Sequence, residues 1–99
     1  MKKIQLTQGK FAIVDDVDFA KANKYKWYAT KSSYNWYAAR GNRVNGQVKT
    51  IYMHRFIMNC PTGMEVDHKN TNSLDNRREN LRNCTRKENL QNRSYKTRG

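Results

Sequence analysis

From Glu65 to Asn89 the chain reads EVDHKNTNSLDNRRENLRNCTRKEN, and no long regular element fits that stretch. Between Lys69 and Arg78 the only apolar side chain is Leu74. Asn70, Asn72, Ser73, Asp75 and Asn76 favour turns, because their short polar side chains bond to nearby backbone. Met64–His68 therefore predicts a strand that runs into a loop. Asn76–Glu79 has the spacing of a one-turn helix start, and Leu81–Cys84 returns as a second strand. Thr85-Arg86-Lys87-Glu88 matches a capping box, with Thr at the N-cap and Glu at N3, so Asn89 falls one turn into a last helix. The predicted unit is strand, loop, strand, helix.

Everything else in the chain must support that polar unit with little apolar material. The sequence has 99 residues, 36% of them hydrophobic, and a mean hydropathy of −1.10. A chain of this size buries only about 60–65% of its unfolded surface, so one domain with a thin core is expected. The net charge of +12 and a pI near 10.1 favour a polyanionic partner, nucleic acid before an anionic membrane. No apolar run approaches the roughly 20 residues a membrane span needs. The opening MKKIQLTQGK has no apolar core of the kind a signal peptide carries. Cys60 and Cys84, far apart and outside any CxxC, suit a reducing cytoplasm.

Taken from its start, the chain predicts two short strands in Lys2–Val14, broken at Gln8-Gly9-Lys10. Asp15, Asp16 and Asp18 open a helix over DFAKANKY, since acids suit a helix N-terminus. Tyr25, Trp27, Tyr28, Tyr34, Trp36 and Tyr37 crowd the next segment, where Ser32-Ser33 predicts a bend between two strands. Such aromatics either stack on unpaired bases or fill a half-buried sheet; the shortage of Leu and Ile favours the second use. Asn45-Gly46 predicts a tight hairpin turn between Tyr37–Arg43 and Gln47–Ile51. Residues 50–59, TIYMHRFIMN, predict a helix with a stripe of Tyr52, Met53, Phe56 and Ile57, leaving His54 and Arg55 off it. A lone His so placed more often bonds backbone or phosphate than does chemistry.

Chemistry concentrates at Asp67-His68. Water displaces a phosphodiester oxygen only if it loses a proton while the developing negative charge is neutralised. The Asp67 carboxylate and the Asn89 amide oxygen are hard donors suited to Mg²⁺ or Mn²⁺. The neutral imidazole of His68 can take the proton near neutral pH. Asn80 is better placed to tie the loop and orient His68 than to react. Strict β alternation would send Asp67 and His68 to opposite faces. For both to serve one site the strand must end or twist there.

The run VDH…LDNRRENLR…T…EN resembles the HNH endonuclease family, in particular its short phage and intron-encoded homing-type members. The upstream LTQGKFAIVDD, KYKWYA, YAAR and YMHRFIM are similar to the N-terminal part of such proteins, so the likeness covers nearly the whole chain. The resemblance implies a ββα-metal unit with His68 as general base, Asp67 as metal ligand, Asn80 supporting the loop and Asn89 completing the metal site. This is an HNN form, like a subset with nicking activity; Asn in the last position points away from zinc and towards Mg²⁺ or Mn²⁺. Relatives often carry a further DNA-binding module after the core, whereas the given sequence stops at Gly99.

A structural zinc wants four ligands, and two cysteines do not supply them, so two buried thiols are the expectation. Arg55, Arg77, Arg78, Arg82, Arg86 and Arg93 are candidates for contacts to DNA phosphates, with Arg77 or Arg78 nearest the scissile region. The expected architecture is α+β: a small N-terminal antiparallel sheet with short helices over 1–59, including the helix at 50–59, then the ββα-metal core over 60–93 and a basic tail over 94–99. The expected activity is divalent-metal-dependent cleavage or nicking of double-stranded DNA, by a monomer or homodimer. The alternative is a non-catalytic nucleic-acid-binding module whose metal site idles.

Overall fold

The computed structural model describes residues 1–32 and 35–88. The chain is α+β, with small antiparallel sheets and short helices. Strands β1 (Lys2–Gln5) and β2 (Phe11–Val14) form the first hairpin. Gln8 and Gly9 turn it with positive φ. Helix α1 (Asp16–Ala22) follows. It starts two residues earlier than the sequence predicts, and ends at Ala22, short of Lys24 and Tyr25.

Strands β3 (Tyr28–Ser32), β4 (Asn35–Val44) and β5 (Gln47–Tyr52) make the second sheet in the order β3-β4-β5. The bend expected at Ser32-Ser33 falls partly outside the described residues. Asn45 (φ 51°) and Gly46 (φ 77°) join β4 to β5, the two left-handed positions of a type I′ turn, which matches the twist of the strands it connects. That turn sets a register in which Thr50, Ile51 and Tyr52 still pair with Gly41, Arg40 and Ala39.

Helix α2 is therefore Met53–Met58, not 50–59. Three β-prone residues complete the ladder before the chain can coil. Asn59, at φ 48°, ends the helix in the left-handed conformation common after a last turn. Met53 and Ile57 are fully buried, while Phe56 packs edge-on to Trp27 and Tyr25.

The core joins all these pieces. Ile4, Ala12 and Val14 of the first hairpin meet Ala22, Trp27, Ala29, Ala38, Met53 and Ile57, with Val66 and Leu81 closing the far side. Small alanines on β2, β3 and β4 let the backbones approach, and Trp27 fills what remains. The Trp27 Nε1–H donates to the Ala22 carbonyl at 2.8 Å, so its burial leaves no unmet donor. The aromatics thus divide their work: Trp27 is core, Tyr25 and Tyr28 stay substantially exposed, and Arg40 lies 3.8 Å over the Tyr25 ring.

Strands β6 (Glu65–His68) and β7 (Leu81–Cys84) pair antiparallel, with His68 opposite Leu81 and Asp67 opposite Arg82. A 3₁₀ turn, Arg78–Asn80, leads into β7. Past it, Thr85 and Glu88 exchange both bonds of a capping box: Thr85 N–H donates to Glu88 Oε1 at 2.8 Å, and Glu88 N–H to Thr85 Oγ1 at 3.2 Å. Residues 86–88 are helical.

The loop between β6 and β7 is stitched to the N-terminal hairpin. Ile13 N–H donates to the Leu74 carbonyl (2.9 Å), and Asn76 N–H donates to the Ile13 carbonyl (2.7 Å), forming a parallel bridge at Asp75. Among the described residues no helix is long and apolar enough to cross a membrane.

Candidate active site

A cavity of about 380 Å³ opens between the second sheet, α2 and β6, lined among others by Tyr37, Tyr52, His54, Asp67 and His68. Asp67 and His68 share it although they are neighbours in sequence. Both are still paired in β6, where burial alternates from Glu65 to His68, and the turn at Asn70–Thr71 follows at once. His68 is buried and Asp67 half-buried.

The His68 ring is held from several directions. Its Nε2 lies 2.8 Å from Asn76 Oδ1. The His54 ring meets it edge-on at 5.0 Å between centroids, and Tyr37 does so at 6.3 Å. Asp67 sits 3.9 Å from Arg82 across the β6–β7 pair.

Asn80, buried, ties the loop across its width. Its Oδ1 accepts the Asn70 N–H at 2.9 Å, and its Nδ2 donates to the Asp75 carbonyl at 2.9 Å. Its own carbonyl accepts the Lys69 N–H at 2.8 Å. The chain that leaves β6 and the chain that enters β7 are thus pinned to one side chain.

The expected arginines are used in different ways. Arg77 binds Asp75 through Nε and Nη2, both at 2.8 Å, and reaches Glu79 with Nη1. That grip holds the Asp75 carboxyl below the usual carboxylate range. Arg78 makes a fork onto Asp18 of α1 and its N–H donates to Asp15 Oδ2. Asp15 and Asp18, read from the sequence as complements to the α1 terminus, are therefore spent on Arg78. Arg55 donates to the Met64 carbonyl and lines the cavity. Arg82 is close to half exposed and Arg86 is exposed. Asn89, Arg93 and the tail over 94–99 lie outside the described residues.

Two side chains stand closer to His68 than the sequence suggests. His54, off the apolar stripe of α2, faces the cavity; burial, with His68 and Arg55 beside it, pushes its pKa down to about 3. Asn76 reads in sequence as one turn former among five. Nothing local marks either one, because each owes its position to pairing made elsewhere in the fold.

Cys60 is half-buried and Cys84 buried, both as free thiols, and burial pushes the Cys84 thiol up. Among the described residues no group of three or more His, Cys, Asp or Glu side chains is gathered for a metal ion.

Residues 52–91 match the HNH endonuclease family. The chain is 33% identical over 93 residues to an uncharacterized HNH endonuclease of Acanthamoeba polyphaga mimivirus, a match covering 88% of this chain and 46% of that protein. The chain thus spans about half the length of this curated relative. No solved structure matches. The matched span begins in the last residue of β5 and takes in α2, part of the cavity wall, Asp67, His68 and Asn80; the chain is an HNH family protein.

Proposed function

We propose that the protein is a DNA endonuclease or nickase that hydrolyses phosphodiester bonds with one divalent cation. The reading rests on one observation above the rest: two consecutive residues that carry a carboxylate and an imidazole, Asp67 and His68, both border one cavity. In this reading residues 60–93 are the catalytic ββα unit, residues 1–59 its support and residues 94–99 a basic tail.

His68 acts as general base and takes the proton of the attacking water, a task for which neutral imidazole is suited near neutral pH. Asn80 does not touch the reacting atoms. It keeps the loop after His68 closed, and through the loop it keeps His68 at the cavity wall. Asp67 and Asn89 fit Mg²⁺ or Mn²⁺, because such an ion takes one or two protein oxygens and keeps its other positions for water and phosphate. Bound there, the cation supplies Lewis acidity that stabilises charge on the leaving 3′-oxygen.

The proposed partner is double-stranded DNA, and the net charge of +12 favours a nucleic acid of some kind. Arg55 and Arg82, which also hold the Met64 carbonyl and Asp67, and the exposed Arg86 are the candidates for phosphate contacts, with Arg93 proposed to join them. Arg77 and Arg78 meet phosphates with the exposed parts of side chains that first brace the loop.

Supercoiled plasmid incubated with Mg²⁺ or Mn²⁺ tests the reading. The wild-type protein gives nicked circles or linear DNA, and His68→Ala loses at least about 100-fold of that rate. Tight DNA binding without cleavage under either ion would favour a non-catalytic binding module instead.

A further inference from the structure

We infer that Asn76 is a positioning residue for His68: its amide oxygen keeps the proton of the imidazole on Nε2 and so selects the tautomer whose lone pair is on Nδ1. The inference rests on the reading of His68 as general base.

The geometry is specific. Asn76 Oδ1 lies 2.8 Å from His68 Nε2 in a buried setting, and an amide oxygen can only accept. Nε2 must therefore donate. In neutral imidazole one nitrogen carries the proton and the other the lone pair, so a fixed acceptor on one side selects the tautomer.

Asn76 is itself held firmly. It is fully buried, and its backbone N–H donates to the Ile13 carbonyl at 2.7 Å. The residue before it, Asp75, is gripped by Arg77, by Asn70 Nδ2 and, through its carbonyl, by Asn80 Nδ2. The first hairpin, more than fifty residues away in sequence, thus fixes the acceptor that fixes the base.

The other end of the same amide supports the assignment. Asn76 Nδ2 is buried and has no hydrogen-bond partner among the described residues. A leucine would fill similar space without an unmet donor, so packing gives no reason for an amide there. The oxygen on His68 does.

The experiment uses the full chain and two readouts. Because the sequence has only two histidines, His54 and His68, imidazole nitrogen NMR above neutral pH reports each tautomer, with His54→Gln assigning the pair. In the wild type His68 carries its proton on Nε2. In Asn76→Leu that preference is lost, and plasmid cleavage falls about 10- to 100-fold in kcat with KM little changed, the size seen when the partner that orients a metal-bound His is removed. Asn76→Asp keeps an acceptor at the same distance and restores both the tautomer and most of the rate. Asn76→Ala, which adds no bulk, replaces the leucine variant if that one fails to fold.

A proton on Nδ1 of wild-type His68 would overturn the inference, as would a folded Asn76→Leu or Asn76→Ala that cleaves at the wild-type rate while His68→Ala does not. If no protein cleaves, or if His68→Ala cleaves normally, the reading of the base has failed. The tautomer measurement still decides what Asn76 does.

Discussion

Arg78 grips Asp18 with two hydrogen bonds, Nε to Oδ2 at 2.9 Å and Nη2 to Oδ1 at 2.8 Å, across 60 residues of sequence. Asp18 is 1% exposed, Arg78 52%. A buried carboxylate is thereby met by a guanidinium that reaches in from the surface, and α1 is clamped to the turn that leads into β7. Lys21 adds a weaker contact at 3.5 Å.

Removal of the arginine leaves a buried charge with that lysine as its remaining ion-pair partner. Arg78→Ala is expected to cost about 2–3 kcal/mol, below the usual range for a broken buried pair because Lys21 remains and Arg78 is half in solvent. Urea denaturation at neutral pH measures it. The bonds to Arg78 hold the Asp18 carboxyl below its ordinary 3.8. A folded-state pKa lower than the unfolded one means stability present above about pH 4 and lost as pH falls through the folded value. The variant should therefore show a shallower loss of stability below about pH 4 than the wild type. An equal acid limb in both proteins would contradict the pairing.

His54 gives a second pH dependence, in a different window. Its pKa of about 3 lies well under the ordinary 6.5, chiefly through burial. Above about pH 6.5 the group is neutral in both folded and unfolded chains and contributes no slope. Below it, the unfolded chain binds a proton that the folded chain refuses, so stability falls as pH drops towards 3. One unit below 6.5 the loss is about 1.4 kcal/mol relative to neutral pH. Urea midpoints at successive pH values follow it, and His54→Gln removes this part of the slope.

Thr85→Ala deletes one half of the capping box and leaves the Glu88 N–H without its acceptor. The expected cost is about 1 kcal/mol. Glu88→Gln, which keeps an oxygen for the Thr85 N–H, should cost less. Thermal unfolding of the two variants side by side checks the order.

What the sequence makes legible is what is decided locally. Asn45-Gly46 can only be a turn of one hand, and it carries the register of β4 and β5 with it. Thr85 and Glu88 find each other three residues apart. Asp67-His68 stands out because no neighbouring residue competes with it for chemistry.

What the sequence conceals depends on distant backbone. Ile13 pairs with the Leu74–Asn76 segment through carbonyl and amide groups, which leave no trace in side-chain pattern. Asn76 is consequently misread by local rules as a turn former, and the acids that do open α1 carry a second use, the grip on Arg78, that those rules do not show. The start of α2 fails for a related reason: Thr50–Tyr52 satisfy a helical stripe, but their pairing with Gly41, Arg40 and Ala39 takes precedence.

Asn80 offers the sharpest separation between holding a site and acting in it. Its side chain is the acceptor for the Asn70 N–H and the donor to the Asp75 carbonyl. Asn80→Ala leaves both buried or half-buried groups unmet, at about 1–3 kcal/mol for each one that water cannot reach. We expect a total near 3 kcal/mol in urea denaturation, together with faster amide exchange at Asn70. His68→Ala removes an imidazole but touches neither bond, so exchange at Asn70 should stay slow while cleavage is lost. Asn80→Asp keeps the acceptor for Asn70 and gives up the donor to Asp75, which predicts intermediate stability and exchange at Asn70 close to the wild type. If Asn80→Ala abolished cleavage with exchange and stability unchanged, Asn80 would have to touch the reacting atoms, and its place as the tie across the loop would not explain its effect.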